Sequence, residues 1–478
     1  MIHYNIPETY SHDVVVVGGG ISGSMAAIAA GRAGASVLLV ERFGFLGGML
    51  TAAGVGPMMT FHAGAEQVIQ GLTGELIERL VQKGLSTGHI PDTTGFTYTV
   101  TPFDPEGMKR EIETMAMDAG VQLLYHTAMA HVETDDAFIK EILLCNKSGL
   151  QRSVGRVFVD ATGDADVSAM AGVDYIKGRK EDGRAQPMTM KLRLYNVDIP
   201  RIRRFIKEHP EEFPRLKGDV SHLDDSPRLS IGGFVETMAR ARADGNMSIV
   251  REDVLFFETN NPGEVIVNTS RITGLDATDA LQLTAGEVEG RRQAAEIYTF
   301  LKEYIPGFEN AIVHSTGPQI GVRSSRQVRG RYTVTREDIV AARKFPDAVV
   351  CNGYPIDVHN PSGSGTDAIH LVWGDYYTIP YRSMINDQIS NVINVGRGIS
   401  GDFDAQAAFR TTPGSGAIGH AGGCAAYLAA AGDSNTLNVS VPRLQDLLRS
   451  QGAFLPVFEE QVDGTVSATT HQHSAENA

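Results

Sequence analysis

Cysteine is scarce in this chain, with three in 478 residues (Cys145, Cys351 and Cys424), odd in number and widely spaced. That excludes a disulfide framework and a cysteine-based metal pattern, suits a reducing compartment, and makes buried structural thiols the expectation for all three. Positive charge is also in deficit: 42 Lys+Arg against 57 Asp+Glu leave a net charge of −15. A general nucleic-acid binder needs a basic footprint, so that class is set aside. No apolar run approaches the ~20 residues of a membrane span. The opening MIHYNIPETYSH has neither a basic start nor an apolar core, so no signal peptide is expected and the chain is read as cytoplasmic. What is present is ordinary for a globular protein, 42% hydrophobic and 21% charged, and the length points to two domains.

The organising stretch runs from Asp13 to Gly48. Val14 to Val17 read as a strand covered on both faces, Gly18, Gly20 and Gly23 as a turn, the following small residues as a helix, and the run ending at Glu41 as a second strand. In GxGxxG one glycine makes the turn, one lets backbone approach a pyrophosphate, and one lets helix and sheet close up. The free N–H groups at Ile21 and Ser22 and the positive end of the helix dipole favour an anion there. Glu41, about 20 residues beyond the glycines, can accept hydrogen bonds from an adenosine ribose. The next residues, RFGFLGGMLTAAG, resemble the ERxxxLGG(M/R)xT segment of FAD enzymes with the glutathione-reductase-type fold. The resemblance implies that Arg42, Gly47, Gly48 and Met49 line the flavin pyrophosphate and ribityl chain.

Further on, TGELIERLVQKG and DPEGMKREIETMAMDAG read as amphipathic helices. VQLLYHT, AMAHVET, FIKEILLCNK and RVFVDATGDAD read as one parallel strand followed by an antiparallel meander. VDATGDADVSAMAG is a second strand-to-helix turn and resembles the ATGD motif of the same enzymes, placing Ala161, Gly163 and Asp164 beside the cofactor; Val132 in the meander is expected there too. From about Met188 the chain turns polar and strand-rich, with a hairpin signal at NNPGE and a long helix beginning at Thr278 or Asp279. The reading is an α/β protein: a Rossmann-type FAD-binding domain with parallel sheet and β-meander, plus an inserted α+β substrate domain. Its bounds are 11–187 for the first part, 188–312 for the substrate-facing insert, 313–432 for the return, and 433–478 for an extension ending in a polar tail expected to be disordered.

GVRSSRQVRGRYTVTREDI, GYPIDVH, IPYRSMI and NVINVGRGISGDFDAQAAFRTTPGSGAIGHAGGCAA carry the wider resemblance, to a large FAD-dependent oxidoreductase family. Some of its members are labelled xanthan lyase-related, and it is distantly related to fumarate reductase and succinate dehydrogenase flavoproteins. Ser324 stands where that family often has Glu, and GHAGG where it often has GQAAG. The resemblance implies a flavin role for Gly396 and Arg397 after the NVINV strand, and for Gly416, Ala417 and Ile418 in the small-residue helix. The dipole of that helix would stabilise charge on reduced flavin. No histidine stands at Gly47–Thr51, so noncovalent FAD is expected, and neither CxxC nor a second dinucleotide motif appears.

For chemistry beside the flavin the candidates are His359, Tyr354, Arg323 and Arg382, with His62, His370, Tyr381, Arg326 and Arg410 behind them. His359 can act as general base, and arginines hold carboxylates bidentately. Asn352, Tyr354, Asp357, Asn360 and Trp373 are the set a sugar would use instead. The expected activity is hydride transfer from a small hydroxy acid or sugar-type alcohol to FAD, the partner being a small-molecule substrate and homo-oligomerisation left open. Alternatives are a flavin-dependent net non-redox lyase or isomerase, an RNA-binding flavoprotein, and an NAD-binding Rossmann protein.

Overall fold

A computed structural model describes residues 6–460 and 466–469. Strand β1 (Glu8–Val17) leads through Gly18–Gly20 into helix α1 (Ile21–Ala33) and then β2 (Val37–Val40). After two further helices come β3 (Gln122–Leu124) and a meander, β4 (Ala128–Asp135), β5 (Phe138–Asn146) and β6 (Gly149–Asp160). The chain returns far later as β7 (Val392–Asn394) and α2 (Thr412–Ala431). In space the parallel order is β3-β2-β1-β6-β7. Strand β6 serves twice: Phe158–Asp160 pair parallel with β7, while Gly149–Ser153 pair antiparallel with β5, which pairs with β4.

Alternation decides which cover each strand residue meets. Val14, Val16, Val37, Leu39, Val157 and Val159 point to the side of α1 and α2, and Val15, Leu38, Val40 and Phe158 to the side of the meander residues Val132, Ile142 and Leu144. Each such side chain contributes about 1.5–3 kcal/mol of burial. On the helical side α1 and α2 touch backbone to backbone. A Cβ on Gly419 would overlap the Ser22 carbonyl, and one on Gly423 the Ala26 carbonyl. The spacing of four on both helices keeps those pairs on facing stripes.

Residues 192–311 enclose a separate hydrophobic core that includes Leu194, Ile231, Phe256, Val265 and Phe300. Its antiparallel sheet has the order Ser230–Gly233, Val254–Glu258, Val265–Val267, Leu192–Tyr195, Ile312–Thr316. The long helix Ala280–Tyr304 is capped by the Asp279 side chain, which accepts the Gln282 N–H. Helix Ile199–Glu208 lies in the stretch read only as polar and strand-rich: the Asp198 side chain caps it by accepting the Arg201 N–H, Pro200 stands in its first turn, and Ile199, Ile202 and Ile206 form its buried face. Cys351 and Cys424 are buried, but Cys145 is exposed on β5, which corrects the expectation for that thiol: near the end of the strand its face of the meander is uncovered. The polar tail lies outside the described residues apart from Val466–Thr469, which pair with Val457–Glu460. Among the described residues no helix is long and apolar enough to cross a membrane.

One consequence for stability concerns His420, buried on α2 with Nε2 3.0 Å from Gln451 Oε1. Burial pushes its imidazole down to about 4. Below pH ~6.5 the unfolded chain takes up this proton while the folded chain does not, so stability is intact above that pH and falls as the pH drops toward 4. Unfolding free energies from urea titrations at pH 7 and pH 5 are expected to differ by roughly 2 kcal/mol from this group, and His420→Gln to flatten that part of the slope.

Candidate active site

Four strand ends, at Gly18, Glu41, Ala161 and Gly396, open onto one cavity of about 480 Å³ at the carboxyl edge of the parallel sheet. Its far wall, carrying Lys191, Phe257 and Asn268, comes from the second sheet and its flanks. Ligands of open α/β sheets sit at this edge because the loops and helix N-termini converge there.

At one end the polar groups suit a dinucleotide. Gly18 has φ +102°, and a Cβ on it would lie 2.5 Å from the Ala161 carbonyl oxygen. Gly47 donates its N–H to the Gly19 carbonyl at 2.9 Å, tying the second glycine loop to the first. Glu41 Oε2 accepts the Gly19 N–H at 2.6 Å and Oε1 the Phe43 N–H at 2.8 Å. Burial raises this carboxyl, partly offset by those two bonds. Each oxygen keeps a lone pair for a further donor, which a ribose diol supplies. The wall continues through Ile21, Ser22, Arg42, Met49, Thr127–Met129, Gly163 and Arg397 to Thr411, Thr412 and Ser415. Thr411 and Asn268 line the cavity, and among the described residues Thr411 Oγ1 and Asn268 Oδ1 are buried without a hydrogen-bond partner, so a polar ligand has groups to satisfy. This donor set and the glycine cradle fit FAD. Glu41→Gln is expected to weaken FAD retention by about 10- to 150-fold, the worth of a charged hydrogen bond of roughly 1.5–3 kcal/mol, measured by equilibrium dialysis with flavin fluorescence.

Several expected residues stand behind the wall instead of on it. Gly23 packs α1 onto the glycine turn, a Cβ there overlapping the Gly18 carbonyl, and Gly47 is the hinge beneath Gly48. Val132 belongs to the core under the meander; the neighbouring wall is Thr127–Met129, at the start of β4. Gly416, Ala417 and Ile418 are displaced from the cavity because α2 presents only its first residues, Thr412 and Ser415, with Thr411 before them. Asp164 lines the cavity, but its carboxylate is occupied by Arg397 Nη2 at 2.7 Å and Ser325 Oγ at 2.6 Å, so it orients the arginine. Arg382 is corrected outright. Its guanidinium lies over Tyr332, 4.6 Å from the ring centroid, beside Asp347, where it packs the return segment.

At the other end Arg323, Tyr354 and His359 do come together, joined by Lys191, Asp357 and Arg410. Arg323 donates to the Pro187 carbonyl at 2.6 Å and to Thr189 Oγ1, and among the described residues it has no carboxylate partner. Burial, with Arg410 and Arg251 nearby, pushes it down to about 9. Arg410 Nη2 lies 3.6 Å from Asp357 Oδ2, and the Tyr354 hydroxyl donates to the same oxygen at 3.1 Å. Burial works against the Asp357 charge, but His359, Arg410 and Arg323 outweigh it and hold the carboxyl below the usual range. His359 Nε2 is 3.5 Å from Asp357 Oδ2 and Nδ1 3.3 Å from Thr366 Oγ1; burial and then Arg323 push the imidazole down to about 3. Among the other candidates, His62 bonds Thr99, Tyr381 donates to the Thr436 carbonyl, His370 packs on Phe96, and Arg326 pairs with Asp166.

Lys191 escaped sequence reasoning. In MTMKLRLY the apolar residues Met188, Met190, Leu192 and Leu194 alternate with Lys191 and Arg193, which read as a solvent face. Arg193 finds Glu264, but Lys191 is only 6% exposed and opens on the cavity.

Among curated proteins none matches the chain in sequence. Solved structures similar to it include a flavin-dependent brominase, Bmp2, at 13% identity and TM-score 0.48, covering 92% of this chain and 83% of that one. Others are a geranylgeranyl bacteriochlorophyll reductase-like protein from Thermoplasma acidophilum (11%, TM-score 0.45, 93% and 83% covered) and the p-nitrophenol 4-monooxygenase PnpA from Pseudomonas putida DLL-E4 (12%, TM-score 0.44, 93% and 85%). The sequence model of the FAD dependent oxidoreductase family matches residues 13–448, the span that contains every wall of the cavity. The chain belongs to that family and is an FAD-dependent oxidoreductase.

Proposed function

We propose that this oxidoreductase takes a hydride from a small hydroxy acid onto noncovalent FAD, on a glutathione-reductase-type FAD domain with residues 188–312 as the substrate-facing insert. The observation that carries this reading is the charge at the substrate end: the guanidiniums of Arg323 and Arg410 line the cavity against the single carboxylate of Asp357. A buried guanidinium without a carboxylate is costly, and a substrate carboxylate would supply the missing partner bidentately. The sugar alternative has less support. Asn352 is turned to the Tyr354 N–H, and Trp373, 74% exposed, stands in an outer loop away from the cavity wall.

In this reading Arg323 and Arg410 fix the carboxylate, and Asp357 fixes Arg410 and the Tyr354 hydroxyl. His359 stays neutral through the physiological range and donates to Asp357. FAD, when bound, accepts the two electrons as hydride. The second sheet forms the far wall, and the burial of Arg323, Asp357 and His359 behind it strengthens each of these interactions. An anaerobic screen of two-carbon to four-carbon hydroxy acids and polyols, following flavin bleaching, tests the proposal. Bleaching by hydroxy acids and not by polyols is expected; product formation with flavin left oxidised between turnovers would favour the lyase or isomerase reading instead.

A further inference from the structure

We propose that Lys191 is the catalytic base of this site, accepting the hydroxyl proton of the bound hydroxy acid on Nζ; this rests on the function proposed above. The geometry singles it out. Lys191 is buried on the cavity wall, and among the described residues its Nζ has no hydrogen-bond or ion-pair partner, whereas both nitrogens of His359 are engaged by Asp357 and Thr366. It is therefore the one basic nitrogen there with its reactive position turned to the space a substrate would fill.

The surroundings keep that nitrogen able to accept a proton. Burial first, then the charges of Arg323, Arg251 and Arg410, push the Lys191 ammonium well below its ordinary value. Asp357, the one carboxylate on this part of the wall, is occupied by Arg410 and Tyr354, and Arg251 is turned to Asp253. An uncharged amine among guanidiniums is the state that such a field favours, as in lysines recruited for base chemistry. His359 and Tyr354 do not compete as bases. The first is pushed down to about 3, too weak to hold a proton near neutrality, and the second is raised by burial and by Asp357, which keeps its own proton in place.

The step balances. The substrate O–H bond breaks and its proton binds the Lys191 nitrogen; the carbinol C–H bond breaks and its hydrogen leaves with both electrons for FAD; the C–O bond becomes C=O. The alcohol is oxidised by two electrons and the bound FAD is reduced by two. The lysine then returns its proton to solvent when the keto acid departs.

The test uses flavin-loaded wild type, Lys191→Met and Lys191→Ala. In anaerobic mixing with the hydroxy acid that bleaches wild type fastest, the wild-type rate should rise with pH to a plateau through one ionisation. Lys191→Met should slow reduction by about 10²- to 10⁴-fold and abolish that ionisation. Ethylamine should restore part of the rate in Lys191→Ala. Oxalate, which has no C–H to lose, provides a readout without turnover. Calorimetry in two buffers should show uptake of about one proton when it binds wild type and none with Lys191→Met, because a bound anion raises the lysine's affinity for a proton. A Lys191→Met variant that keeps the wild-type pH profile, reduces within threefold of it and takes up the same proton with oxalate overturns the assignment alone. A wild-type holoenzyme that no hydroxy acid bleaches overturns the function it rests on, and the base with it.

Discussion

Arg323→Leu holoenzyme should keep its yellow colour and lose hydroxy-acid oxidation by about 30- to 4,000-fold in kcat/KM, the 2–5 kcal/mol that accompanies loss of one partner of a buried, hydrogen-bonded charge pair. The guanidinium is anchored on the Pro187 carbonyl and Thr189 Oγ1, so its position owes nothing to substrate, and no flavin-binding element depends on it. The loss should fall mainly on substrate affinity, read from the concentration dependence of anaerobic bleaching. Arg323→Lys should recover charge without the planar fork and sit between the two. The leucine variant also removes a cation that acts on Lys191. Without it the ammonium holds its proton more tightly, so the alkaline rise of the rate should move to higher pH. A rise that moves to lower pH, or a variant with unchanged affinity, would place the carboxylate elsewhere.

Gly23→Ala should give a colourless, less stable protein. A methyl group at this position meets the Gly18 carbonyl and lies 2.8 Å from the Ala161 side chain, both of them backbone-fixed parts of the cradle. To admit it, α1 must retreat from the turn, and α1 is in backbone contact with α2 through Gly419 and Gly423, so the retreat strains both helices. Overpacking of this kind costs typically 1–3 kcal/mol in the fold. The larger effect is on FAD, because the N–H groups of Ile21 and Ser22 would move away from the pyrophosphate position. FAD affinity is expected to drop by more than about 100-fold, beyond what loss of one hydrogen bond explains. Equilibrium dialysis against FAD, with thermal melting of the apoprotein, separates the two contributions. A variant that purifies yellow with normal melting would show that the turn tolerates a side chain.

The nucleotide end of the site could be read from the chain because its chemistry is local. A parallel strand buried on both faces, a turn that only glycine can make, a helix start and an acid at the next strand end follow one another between Asp13 and Glu41, and each has its own sequence signature. The same holds for the meander before Asp160 and for the small-residue helix, whose glycines mark close approach wherever they occur. Even there, register was beyond the sequence. Which turn of α2 reaches the cavity depends on how far the helix slides along α1, and the structure offers Thr411, Thr412 and Ser415 where Gly416–Ile418 were expected.

The substrate end is a different kind of object. Lys191, Arg323, Asp357, His359 and Arg410 come from separate segments, and a charged residue carries no local mark of whether water or a cavity faces it. Side-chain chemistry singled out Arg323, Tyr354 and His359 in the sequence, yet it singled out Arg382 equally, which spends its charge on Tyr332 and Asp347. By alternation alone Lys191 belongs to the polar face of an amphipathic strand. Periodicity reports that one face differs from the other; only the folding of the second sheet over the first decides that the polar face looks inward, onto a cavity, and so turns a surface lysine into a buried one.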